Sequence, residues 1–195
     1  MAIIVISGNP GAGKTTTGRI VAQKLGYEFF STGDLRGQIA TRHGMTIDEL
    51  NRIGTEEIWT DKECDDLVTV MGNSRDNLVF DSWLAWFFIP RAIRIFLKVD
   101  PKIAAERVFK DQRPDERRVE TPDELYAILM ERVQVSRVRY QKWYGVDYLD
   151  LNHYQLVLDT SHPNRGANTV AEFILKFFLS EHPAVAIREK TGPHV

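Results

Sequence analysis

Residues 2–17 read Ala-Ile-Ile-Val-Ile-Ser-Gly-Asn-Pro-Gly-Ala-Gly-Lys-Thr-Thr-Thr, and this stretch decides the fold. Ala2–Ile6 is a β-branched apolar run without alternation, the pattern of a strand buried on both faces of a parallel sheet. Gly8–Thr15 then matches G-x-x-x-x-G-K-[ST]. Beyond it Ile20, Val21 and Leu25 recur at helical spacing, until Gly26 at a C-cap position. Strand, glycine loop and helix in that order are what a triphosphate-binding loop requires. Glycines let successive backbone N–H groups turn toward phosphate oxygens, and the positive end of the helix adds field. In this motif Lys14 reaches the β/γ-phosphates and the Thr15 hydroxyl is placed for Mg²⁺. Gly8, Asn9, Pro10, Gly11, Ala12, Gly13, Lys14, Thr15 and Thr16 are the expected nucleotide-binding residues.

Outward from the loop, strands and helices alternate. Tyr27–Phe30 reads as a second short strand, and Ser31-Thr32-Gly33-Asp34 supplies turn and cap chemistry for a helix ending near His43-Gly44. From Thr46 to about Asn73 the pattern stays helical, opened by a capping box of Thr46 with Glu49. Leu78–Phe80 and Ile95–Val99 read as buried strands ending at Asp81 and Asp100, and Lys102–Lys110 as a helix. Residues 111–120 are almost wholly charged, with almost no apolar anchor, and read as a lid loop carrying Arg113, Arg117 and Arg118. Thr121-Pro-Asp-Glu124 starts a helix that should run to about Tyr144, before Gly145. Gln155–Leu158 is the last strand, Ala167–Leu179 the last helix, and 182–195 a flexible tail. The alternation predicts an α/β fold: a parallel sheet with helices on both faces, in one domain over residues 1–181.

Composition narrows the function classes. A chain of 195 residues, 43% hydrophobic and 27% charged, is ordinary globular usage for about one domain. A net charge of −2 gives no reason to expect nucleic acid as a partner. One cysteine, Cys64, excludes an internal disulfide framework. The longest apolar runs, Ala2–Ile6 and Leu84–Ile89, are far short of the ~20 residues of a membrane span, and no cleavable signal pattern is present. The expectation is a cytoplasmic protein acting on small molecules. Such loops serve GTPases, motors, recombinases and small-molecule kinases; the absence of an Asn-Lys-x-Asp guanine motif weakens the first, and the chain leaves little room for the added modules of motors. Residues 34–76 then read as a helical acceptor-binding insertion.

Three segments carry a family likeness: Gly8–Thr17 (GNPGAGKTTT), Ser31–Asp34 (STGD) and Ser136–Ser161 (SRVRYQKWYGVDYLDLNHYQLVLDTS). Together they resemble the nucleoside monophosphate kinases, and most closely the archaeal-type cytidylate kinases, over roughly residues 2–175. The resemblance implies a five-stranded parallel core sheet, an acceptor-site helical region and a closing lid. It implies transfer of the ATP γ-phosphoryl to a nucleoside monophosphate, CMP or dCMP first, with Mg²⁺. Two departures fall on the acceptor side. The family strand before that site ends in Glu-Gly-Arg-Leu-Ala. Here the segment is Asp81-Ser82-Trp83-Leu84-Ala85, with the arginine missing and Ser82 read as standing in its place. Arg36 also stands two positions after Asp34, where related kinases place an arginine three after.

A monophosphate acceptor is already an anion at neutral pH, so transfer needs charge neutralisation and in-line positioning more than a base. Arg132 and Arg139, seven apart, share one face of a continuous helix and are expected, with Lys14, to be catalytic. Asp81 with Thr15 is the expected metal pair. Asp34, Arg36, Arg42, Ser82 and Trp83 are the acceptor-side candidates. Trp86, Phe87 and Phe88 read as core. Asp61 and Asp65, at i and i+4, are placed to hydrogen-bond a base edge in the acceptor site, though a solvated helix face is the more ordinary reading of such a pair. Two other readings stay open: a P-loop kinase for another small acceptor, and an adenylate-kinase-like module that binds ATP without transfer.

Overall fold

The structure, a computed structural model, describes residues 2–112 and 118–181. Arg113, Arg117 and the tail 182–195 lie outside the described residues. Five strands, β1 (Ile3–Gly8), β2 (Glu28–Ser31), β3 (Leu78–Asp81), β4 (Ile93–Lys98) and β5 (Leu156–Asp159), form one sheet in the order β2-β3-β1-β4-β5. Every neighbouring pair is parallel, with Ile4 of β1 opposite Val79 on one side and Ile93 on the other. β1 is the central strand and is buried throughout, which is why its sequence does not alternate.

Helices cover both faces. On one, α1 (Lys14–Leu25) and α8 (Ala167–Glu181) pack Val21, Ile174 and Phe178 against Ile4, Ile6 and Ile95. On the other, Ile3, Val5 and Phe80 meet Val68 and Met71 of α4 (Trp59–Ser74), Trp86 of the short α5 (Ala85–Phe88), and Tyr140 of α7 (Pro122–Tyr144). The remaining α-helices among the described residues are α2 (Thr32–Arg42), α3 (Ile47–Ile53) and α6 (Pro101–Lys110), with a single 3₁₀ turn at Leu151–His153. Thr121 caps α7 by accepting from Glu124 N–H, and Pro122 and the left-handed Gly145 bound it as the sequence indicates. No described helix is long and apolar enough to cross a membrane.

Two expectations are corrected. The helical pattern from Thr46 to Asn73 is broken between α3 and α4. Trp143 Nε1 donates to Gly54 O at 2.8 Å and Lys142 Nζ to Thr55 O at 2.6 Å, so α7 supplies partners for carbonyls that would otherwise need the helical ladder. A Cβ on Gly54 would lie 2.9 Å from Arg139 Cδ, so only glycine lets the chain turn this close to α7. The segment 111–120 also has an apolar anchor. Val119 is buried with Leu125 and Leu129, and Gln112 hydrogen-bonds both its N–H and its carbonyl.

Candidate active site

The phosphate loop leaves the buried end of β1. Gly8 has φ +144° and lies so close to β4 that a Cβ would stand 2.0 Å from Leu97 O. Gly13, at φ +83°, begins α1 in the left-handed region, and neither a side-chain cap nor an acidic residue occupies that helix start. Its first N–H groups are thereby left for an anion. Lys14 Nζ donates to Asn9 O at 2.9 Å, inside the loop. Thr15 Oγ1 donates to Asp81 Oδ2 at 2.5 Å, joining the start of α1 to the end of β3. This hydroxyl–carboxylate pair suits Mg²⁺, a hard cation that takes oxygen ligands and completes its shell with water and phosphate. Among the described residues no group of three or more His, Cys, Asp or Glu gathers to hold a metal alone.

A cavity of about 650 Å³ opens beside the loop, within the usual size of a small-ligand site. Its lining includes Pro10–Thr17, Ser31–Gly33, Arg36, Asn51, Asp81, Ser82, Trp83, Arg107, Arg132, Arg139, Tyr140 and Arg165. Arg36, Ser82, Trp83, Arg132 and Arg139 are thus brought to the loop. Asp34 and Arg42 are not: Asp34 faces Arg19 at 3.7 Å and Arg42 pairs with Glu63 on the surface. Arg118 is exposed and does not line the cavity. Arg132 meets Asp48 of α3 at 3.0 Å, while Arg137, round the helix, pairs with Asp147.

Asp61 is the main surprise. Expected on a solvated face, it is 3% exposed. The break before α4 turns Asp61, Cys64, Val68 and Met71 inward as one stripe, and the carboxylate is compensated there by Arg36 Nη1 at 2.6 Å and Arg139 Nε at 3.1 Å. Asn51 Oδ1 accepts from Arg36 Nη2 at 2.9 Å and Arg139 Nη1 at 3.0 Å. Burial works against the Arg139 charge, but the neighbouring Tyr140 and Asp61 outweigh it and its pKa is raised. Asn51 and Tyr140 were not singled out as site residues by sequence reasoning, and Asp61 was weighed only as a partner for a base edge, not as the counter-charge of two arginines. The only signal was the spacing of Asp61 with Cys64 and Val68, which is that of an inward-facing stripe.

Asp65, one turn on, is half-buried and accepts from Tyr144 Oη. Burial pushes its carboxyl up to about 7, against the lowering effect of the tyrosine hydroxyl. A carboxyl raised above its ordinary ~4 adds stability that is complete below about pH 4 and is lost as pH rises through about 7. Asp65→Asn, neutral at every pH, should remove that loss. Its melting temperature should exceed the parent's by roughly 5 °C at pH 8, with no such gain at pH 4. Melting curves that shift in parallel from pH 4 to pH 8 would contradict this assignment.

Ser82 and Trp83, both expected on the acceptor side, both line the cavity, but they differ in what their side chains do. Ser82 is 6% exposed, and its Oγ accepts from Ala85 N–H at 3.0 Å and Leu84 N–H at 3.3 Å, holding the turn into α5. Set against Glu-Gly-Arg-Leu-Ala position by position, it is Trp83 that replaces the arginine. The Trp83 ring lines the cavity and lies stacked on Tyr148, centroids 5.0 Å apart and 15° from parallel. Trp86 is buried as core, and Phe87 is 38% exposed.

The parallel sheet, the loop and the arginine-lined cavity define a P-loop enzyme of the nucleoside monophosphate kinase class. The family model for the cytidylate kinase-like family matches residues 3–162, and the chain belongs to that family. A cytidylate kinase from Archaeoglobus fulgidus is 31% identical over 174 residues, covering 89% of this chain and 92% of that one. An S-adenosylmethionine-dependent nucleotide dehydratase from Lacinutrix mariniflava is 34% identical over 176 residues, 90% of this chain, which spans only 35% of that protein's length. Among solved structures, shikimate kinase from Bacteroides thetaiotaomicron superposes with a TM-score of 0.62 at 17% identity, over 91% of this chain and 98% of that one. The last likeness concerns the fold alone.

Proposed function

We propose that the protein transfers the γ-phosphoryl group of ATP to a nucleoside monophosphate, CMP or dCMP first, giving the nucleoside diphosphate and ADP. The observation that carries this reading is a single cavity in which the phosphate loop faces buried arginines from two other helices, Arg36 of α2 and Arg139 of α7. A phosphate oxygen of the acceptor attacks the γ-phosphorus, and the bond to the β-phosphate oxygen breaks as ADP departs. The acceptor oxygen needs no deprotonation, so the protein's work is electrostatic and positional. Loop N–H groups and Lys14 hold the β/γ-phosphates, while Arg132 and Arg139 approach the transferring group from α7. Mg²⁺, held through the Thr15 hydroxyl and Asp81, would supply charge neutralisation across the phosphates.

Trp83 in place of the family arginine favours a second reading, a kinase of this fold with a different small acceptor. An ADP-release assay with ATP and Mg²⁺ over CMP, dCMP, UMP, AMP, GMP and shikimate separates the two. The first reading expects turnover with cytidine monophosphates well above the rest. Turnover confined to another acceptor selects the second, and ATP binding with no acceptor-dependent ADP release overturns both.

A further inference from the structure

The buried cluster of Arg36, Asn51, Asp61 and Arg139 holds more than the helices need. Each guanidinium makes one contact to Asp61 and one to Asn51 Oδ1, so four contacts fasten the two arginines side by side at the cavity wall. Without the carboxylate two buried cations would stand together unopposed, which is far costlier than the same charges in water. With it, Arg36, Arg139 and Asp61 still sum to one surplus positive charge. The next carboxyl, Asp65, feels Asp61, Arg36 and Arg139, but it hydrogen-bonds Tyr144 instead of either guanidinium, and burial pushes it up to about 7, so near neutral pH it offsets only part of that surplus. Arg36 Nε is moreover buried with no hydrogen-bond partner among the described residues. A cluster that is short of negative charge, and that borders the cavity at Arg36, Asn51 and Arg139, is built to be completed by an anion.

We infer that Asp61 and Asn51 are positioning residues that hold Arg36 and Arg139 as one preassembled seat for the phosphate of the acceptor. This rests on the phosphotransfer reading above for the identity of the anion. Asp61 does not itself line the cavity; it sets where the two guanidiniums point. The family arginine position three after Asp34 is Gly37 here, and the seat explains how Arg36, one residue earlier, still serves the cavity: α4 reaches across with a carboxylate to draw it in.

Two near-isosteric variants test this, in calorimetric titrations of CMP into protein whose loop is filled with ADP and Mg²⁺, alongside steady-state kinetics. Asn51→Asp keeps an oxygen acceptor for both arginines but cancels the surplus charge. The seat predicts CMP binding weakened about tenfold or more, with unchanged KM for ATP and a melting temperature no lower than the parent's. Asp61→Asn leaves two positive charges without their guide. The expected result is a kcat at least about tenfold lower while CMP affinity is kept or increased, a split that loss of fold would not produce. If Asp61→Asn fails to fold, Asn51→Asp decides alone. CMP affinity within twofold of the parent in Asn51→Asp would overturn the seat and leave the cluster a brace between α2, α4 and α7. The titration needs no turnover, so a parent that binds CMP but forms no CDP would sink the phosphotransfer reading and leave the seat standing.

Discussion

Lys14→Ala loses at least about 100-fold in phosphoryl transfer and melts close to the parent temperature. Lys14 sits in the first turn of α1 at the cavity wall, and its ammonium reaches a loop carbonyl, Asn9 O. Removing it deletes no apolar contact of the sheet. What it deletes is a cation aimed at the group whose charge is redistributed during transfer, and such groups are worth several kcal/mol of barrier. Steady-state kinetics with saturating ATP, together with a thermal melt, check both halves. A variant retaining more than about a tenth of parental turnover would remove Lys14 from the mechanism.

The second large effect separates two adjacent residues. Ser82→Arg forces a guanidinium into a site 6% exposed and takes away the hydroxyl that accepts from Leu84 and Ala85 N–H, so it should cost roughly 3–5 kcal/mol of stability and yield little folded protein. Trp83→Arg instead restores the family residue at the cavity edge. It gives up the stack on Tyr148 but adds a charge-assisted contact to an anionic acceptor. The expected outcome is folded protein with KM for CMP lowered about tenfold and KM for ATP unchanged. An unchanged KM for CMP would mean that this side of the cavity has been rebuilt for another acceptor around the Trp83–Tyr148 pair.

Local signals made the sheet and the loop legible. β1, the glycine loop and the start of α1 are encoded in sixteen consecutive residues, and α7 announces itself by Thr121-Pro-Asp-Glu124. The acceptor side was not legible in the same way, because its residues depend on partners distant in the chain. Gly54 and Thr55 leave the helix because Lys142 and Trp143 take their carbonyls. Asp61 turns inward because guanidiniums from α2 and α7 meet it there, and a lone aspartate in a helical pattern carries no mark of that compensation. Arg42 follows the same rule in reverse: an arginine at the last position of a promising helix finds Glu63 at the surface and does not line the cavity. Ser82 does line the cavity, but the residue after a strand can serve the next turn as readily as a ligand, and its hydroxyl is spent on α5.

Phosphorus NMR of the protein with ATP, Mg²⁺ and CMP tests the central claim most directly, because it follows the transferred phosphorus itself. The expected result is growth of the CDP β-phosphorus resonance in equal proportion with ADP, without free phosphate, and its absence with Lys14→Ala. Release of inorganic phosphate alone, or unchanged spectra with CMP and every other nucleoside monophosphate while ATP is bound, would contradict it.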